Sequence, residues 1–92
     1  MKKLRRAIDV TGIIMPNNWD EDGRIIGIAI YTNTEEVLGL EHNNITRELM
    51  NLLHRRVEIK GKISERPDGN ATIAVQNYIV LKDIVDDENN TA

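Results

Sequence analysis

Two stretches of this 92-residue chain carry one pattern. IDVTGII (residues 8–14) and VEIKGKI (residues 57–63) both read apolar, polar, apolar, polar, glycine, any residue, apolar. Each precedes a turn region with Asp-Gly (Asp22-Gly23 and Asp68-Gly69) and then a second apolar run. Alternation with period two marks a strand with one buried face. The chain therefore writes a β-hairpin twice, with a glycine at the same step. Glycine inside a strand weakens it, and it is found where a strand bends sharply or another backbone comes close. Closing a small barrel demands such bends, so Gly12 and Gly61 are expected at its corners.

The rest of the chain fits between these hairpins. In the first strand Ile8, Val10, Gly12 and Ile14 alternate with Ala7, Asp9, Thr11 and Ile13. MPNNWDEDG (residues 15–23) is rich in turn formers and reads as a loop. RIIGIAIYTN then gives a strand with Ile26, Ile28 and Ile30 on the core face and Ile25, Gly27, Ala29 and Tyr31 on the other. After a tight turn at Asn33-Thr34, EEVLGLE is a short strand with Leu38 and Leu40 inward. The period then changes. In HNNITRELMNLLHRR (residues 42–56) Ile45, Leu49, Leu52 and Leu53 fall at i, i+4, i+7 and i+8, one helical stripe. Asn43 or Asn44 can cap its start, and Arg55 and Arg56 suit the negative end of its dipole. The fourth strand is VEIKGKIS, ERPDGN is a turn, and ATIAVQNYIVL is the fifth strand. Alternation slips near Asn77 in that last strand, as it would at a bulge.

Three strands, a helix and two strands is the order of the OB-fold, a five-stranded Greek-key barrel with its helix between the third and fourth strands. The expected fold class is all-β with one helix, in the order β1-β2-β3-α-β4-β5. The expected core is Ile8, Val10, Ile14, Ile26, Ile28, Ile30, Leu38, Leu40, Ile45, Leu49, Leu52, Val57, Ile59, Ile63, Ile73 and Val75. One domain spans residues 1–82, and the acidic residues 83–92 form a frayed tail. The run LLHRRVEIKGKISERPDGNATIAVQNYIVL also resembles the second half of small stand-alone bacterial OB-fold proteins. The matching positions are Arg55, Arg56, Val57, Ile59, Gly61, Ile63, Asp68, Gly69, Ile73 and Val75. These positions specify the barrel and no ligand. The resemblance implies a binding module, most commonly for single-stranded nucleic acid, in a superfamily that also includes protein-binding and small-molecule-binding members.

Composition removes several classes. There is no cysteine, so disulfides and thiolate metal sites are excluded. MKKLRRAIDV lacks the apolar segment of a signal peptide, and no run of about 18 apolar residues could span a membrane. A cytoplasmic location is the expectation. The net charge of −3 argues against a dedicated nucleic-acid binder, although the charge is partly segregated. Lys2, Lys3, Arg5, Arg6, Arg55, Arg56, Lys60 and Lys62 stand apart from Asp20, Glu21, Asp22 and the acidic tail. No P-loop, Gly-x-Ser-x-Gly or cysteine nucleophile is present. His42 and His54 are too far apart for a local metal pair, and the acidic trio lacks the spaced ligands of a calcium loop. No enzyme, cofactor or metal is expected.

OB-folds take oligonucleotides on the face of strands two and three, framed by the one–two and four–five loops. Such binding needs aromatic platforms and a basic groove. Trp19 in the first loop and Tyr31 at the end of strand two are the candidate platforms. Gly27 and Ala29 would leave room for a base beside Tyr31. Arg24, Lys60, Lys62 and Arg66 are the candidate phosphate contacts. Against each stands a packing role: Trp19 over a barrel end, Tyr31 under the four–five loop, Tyr78 capping the core. The competing class is a protein-interaction module, with a protein partner or a second copy on the apolar face of Ile25, Val37 and Gly39 or on an open strand edge.

Overall fold

Residues Arg5–Trp19 form one strand of 15 residues, β1, and the sheet is organised around it. The computed structural model describes residues 5–65 and 67–81. The other strands are β2 (Ile25–Thr32), β3 (Val37–Leu40), β4 (Arg56–Glu65) and β5 (Ala71–Val80). A helix, α1 (Asn44–Leu49), and a 3-10 turn (Met50–Leu52) lie between β3 and β4, as the sequence order predicts.

β1 is too long for one neighbour. Arg5–Ile13 pair antiparallel with β4, while Gly12–Trp19 pair antiparallel with β2. Gly12 and Ile13 belong to both ladders, so the strand passes from one partner to the other there. A Cβ on Gly12 would collide with the carbonyl oxygen of Tyr31, and one on Gly61 with that of Ala74. The twin glycines thus mark the two places where backbone lies directly on backbone. Gly61 also adjoins a register shift: Lys60 faces Asn77 and Gly61 faces Val75, which leaves Gln76 as the extra residue of a bulge. This is the slip expected near Asn77.

The sheet closes in the order β1-β2-β3-β5-β4, with β4 returning to β1. Its order differs from chain order because β5 lies between β3 and β4. The β3–β5 join is parallel and covers only Gly39 opposite Thr72 and Leu40 opposite Ile73. Inside the ring, Ile14, Ile28, Ile30, Leu38, Leu40, Leu49, Val57, Ile59, Ile63, Ile73 and Val75 form the buried core. Ile8, Val10, Ile45 and Leu52 pack against it.

Three expectations are corrected. First, residues 15–19 are strand, and the turn is confined to residues 20–24. Asp20 makes this turn: its Oδ1 accepts from the backbone N–H of Asp22 and Arg24, each at 2.9 Å. Gly23 supplies the left-handed φ of 86°. Second, Ile26 is not in the core; it is 43% exposed, and Ile25 packs inward instead. Pro16 faces Ile28, Asn18 faces Gly27 and Trp19 faces Ile25, so Asn17 is extra in β1 and Ile26 is extra in β2. Each bulge reverses which side chains face inward beyond it. Third, the helix ends far short of Arg55 and Arg56. Asn43 caps it, its Oδ1 accepting from the N–H of Thr46 at 2.8 Å. His54 takes a left-handed φ of 68° and donates its N–H to the Ile14 carbonyl at 2.7 Å, while Ile14 donates to Arg55 at 3.1 Å. This clasp onto β1 stops the helix early, and Arg47 is the base in its last turn.

Gly12→Ala and Gly61→Ala should each lower stability by about 1–3 kcal/mol, because the added methyl meets backbone that cannot rotate away. Urea denaturation measures it. Two variants as stable as the parent chain would refute the close approach.

Candidate binding groove between β3 and β5

The short β3–β5 join leaves a gap. Upstream of Gly39, β3 diverges from the residues that lead into β5, and a groove of about 710 Å³ opens between them. Asn17 and Asn18 bound it on the β1 side, Glu36–Gly39 form one wall, and Gly69–Thr72 form the other. The second Asp-Gly turn shapes that wall. Asp68 Oδ1 accepts from the Asn70 N–H at 3.0 Å, and Gly69 has a left-handed φ of 89°.

A polar network holds the paired end of the groove. The Arg5 guanidinium donates to both oxygens of Glu41, at 3.0 and 3.1 Å. The Thr72 hydroxyl donates to Glu41 Oε2 at 2.8 Å. Arg5, Ser64 and Thr72 lie side by side across β1, β4 and β5. The Ser64 hydroxyl beneath them is buried with no hydrogen-bond partner among the described residues.

The residues expected to bind are dispersed. Trp19 is 52% exposed at the end of β1 and does not fold over the ring. Arg24 is exposed beside the acidic turn. Tyr31 is 45% exposed on the outer face, between Ile13 of β1 and Val37 of β3. Lys60 and Lys62 point outward from β4, opposite Asp9 and Ala7 of β1. With strands ~4.8 Å apart and ~3.3 Å per residue, Tyr31 and Lys60 are roughly 10 Å apart across the sheet and 13 Å along it. Arg66 lies outside the described residues, as do Lys2, Lys3 and the tail. Tyr78 takes the packing role: it lies against the core, and its hydroxyl donates to Glu48 Oε1 of α1 at 3.0 Å.

The room expected beside Tyr31 is filled. Ala29 is fully buried. The Asn17 amide lies over the glycines, with Oδ1 2.9 Å from where a Cβ of Gly27 would stand and Nδ2 3.9 Å from that of Gly39. The apolar outer face also differs from expectation. Ile25 leaves it for the core, and the exposed row is Val37–Tyr31–Ile13 across three strands. The sequence reading missed Asn17, Asn18, Glu36, Asn70 and Thr72 as groove residues. Their one signal was MPNNW and DGN, which read only as turn formers.

One further outer pair is electrostatically coupled. The Asp9 carboxyl of β1 pushes the Glu58 pKa of β4 up, first by favouring its protonated, hydrogen-bonding form and then by charge repulsion; Lys60 opposes the shift. His42 and His54 are both exposed. Among the described residues no cluster of His, Asp and Glu could hold a metal ion, and no helix is long and apolar enough to cross a membrane. Comparison with protein-family models, curated proteins and solved structures found no match to this chain.

An NMR pH titration should place the Glu58 carboxyl above the ordinary glutamate range, and Asp9→Asn should bring it back down. Because the folded state holds this proton more tightly, the contribution is present at low pH and fades as pH rises through the raised value. A Glu58 midpoint unmoved by Asp9→Asn would rule out Asp9 as the cause.

Proposed function

We propose that the closed five-stranded sheet is an OB-fold barrel and that the chain is a non-catalytic binding module. Its ligand is a segment of a protein, held in the groove between β3 and β5. The observation that carries this reading is the lining of the groove. Asn17, Asn18 and Asn70 bring amides, Thr72 a hydroxyl and Glu36 a carboxylate, with no cation among the described lining residues. Amides donate and accept, which suits a peptide backbone. A carboxylate repels phosphate.

Single-stranded nucleic acid is the weaker ligand. It requires aromatic platforms and cations on one track. Here Lys60 and Lys62 lie on β4, away from Tyr31, and Lys60 faces Asp9. The exposed row Val37–Tyr31–Ile13 meets the groove wall at Val37 and gives a protein partner apolar surface to cover. Tyrosine is enriched among residues that anchor protein interfaces.

The test is selection of a displayed random peptide library on the full chain, followed by amide NMR titration with the recovered peptides. Shifts should fall on residues 17–18, 36–39 and 69–72 and persist at physiological salt. Tyr31→Ala should weaken binding by about 1–2 kcal/mol. Mixed single-stranded DNA and RNA oligomers are the opposing arm. Salt-sensitive shifts at Arg24, Tyr31, Lys60 and Lys62 with those oligomers, and none with peptides, would replace this reading with the nucleic-acid one.

A further inference from the structure

The groove has an open backbone rung. The Thr32 N–H donates to the Glu36 carbonyl at 2.9 Å, the one backbone bond between them that closes the β2–β3 hairpin, while the Glu36 N–H turns to the Thr32 hydroxyl at 3.1 Å. Antiparallel ladders alternate bonded and non-bonded pairs. Tyr31 opposite Val37 is therefore a non-bonded pair, and the N–H and C=O of Val37 point away from β2. They point toward β5, as do those of Glu41, whose N–H donates to the Ile73 carbonyl at 2.9 Å. Gly39 and Leu40 find partners in β5, but Val37 lies beyond the last paired position. Continuing the parallel ladder would require strand before Ala71, and the turn at Gly69 leads the chain away instead.

Charge marks the same end. Glu36 lines both the groove and an adjoining hollow with Arg6, Ile8, Leu38, Ile63, Glu65, Gly69 and Ala71. Arg6 is turned to Glu65 at 3.8 Å. Among the described residues no ion pair engages the Glu36 carboxylate. Among the described lining residues the balance is two carboxylates against one guanidinium, which favours a cation on the ligand.

We propose that the partner binds as an added strand: an extended peptide segment that pairs with the Val37 N–H and C=O and sets a lysine or arginine against Glu36. Main-chain pairing supplies the contact and the alternate side chains supply the choice, as in other strand additions. Asn70 and Asn17 flank the incoming backbone with amides. This inference rests on the reading of the groove as a protein-binding site.

The groove-binding peptides recovered from the displayed library test it. They should be enriched in lysine or arginine at one position. Glu36→Gln should weaken them about two- to fivefold, the range of an exposed ion pair, and Glu36→Lys should favour glutamate at that position instead. Replacing the amide that faces Val37 by an ester, one peptide position at a time, should cost about three- to tenfold at a single position. These changes to the peptide leave the fold of the chain untouched. Peptides that occupy the groove but tolerate every ester and show no basic preference would overturn strand addition while leaving the binding module standing. Recovery of no groove-binding peptide would overturn both.

Discussion

Backbone lying on backbone at Gly12 and Gly61 is the constraint on which the rest of the structure depends. A sheet of five strands closes on itself only if some strand serves two neighbours in different directions, and β1 does so at Gly12. There the Tyr31 carbonyl occupies the place of a side chain, as the Ala74 carbonyl does at Gly61. Closure then sets everything inside the ring. The apolar side chains of all five strands converge on one core, capped by Leu49 from the helix. Without the bends, the same strands would give a flatter sheet with one face of isoleucine and valine open to water.

The groove between β3 and β5 is the remainder of that closure. The β1–β2, β1–β4 and β4–β5 joins of the ring are long, whereas β2–β3 joins at three positions and β3–β5 at two only. A short β3 makes the ring possible with so few residues, and it also leaves a gap that no described strand fills. The opposed bulges in β1 and β2 furnish the gap. Asn17, pushed out of register, has its amide over Gly27 and Gly39, so one irregularity shapes the ring and equips the groove.

Much of this was legible in the sequence. The glycine-bearing repeat, the alternation of Ile28 with Ile30 and of Leu38 with Leu40, and the 3.6-period stripe through Ile45 and Leu49 identified the elements and nearly all of the core. The bulge at Gln76 showed as a break in alternation. The opposed pair at Asn17 and Ile26 did not show, because RIIGIAI is apolar at almost every step and hides a change of face. Alternation needs polar residues to be read. The helix was over-extended for a related reason: Leu52 and Leu53 fit the stripe, but the clasp of His54 and Arg55 onto Ile14 is a tertiary contact that no local pattern records. The candidate site was the least legible part. Exposed cations and aromatics are visible one by one, whereas their separation on the ring depends on β5 lying between β3 and β4 and β1 between β2 and β4. Small amides in a turn carry no sequence mark of a groove at all.

The double duty of β1 also has a temporal side. Its hairpin with β2 joins residues close in the chain, but its ladder with β4 joins Arg5 to Ser64 and Ile13 to Arg56. Loop entropy must be overcome before such distant rungs repay it, and chains dominated by non-local pairing fold slowly. The two hairpins of the repeat are local and quick to form; the ring is closed by their meeting. Until then β1 and β4 each carry an unpaired edge rich in isoleucine and valine. Arg5, Arg6, Asp9, Glu58, Lys60 and Lys62 are spaced along those edges, where charge discourages two such chains from pairing with each other before each has closed upon itself.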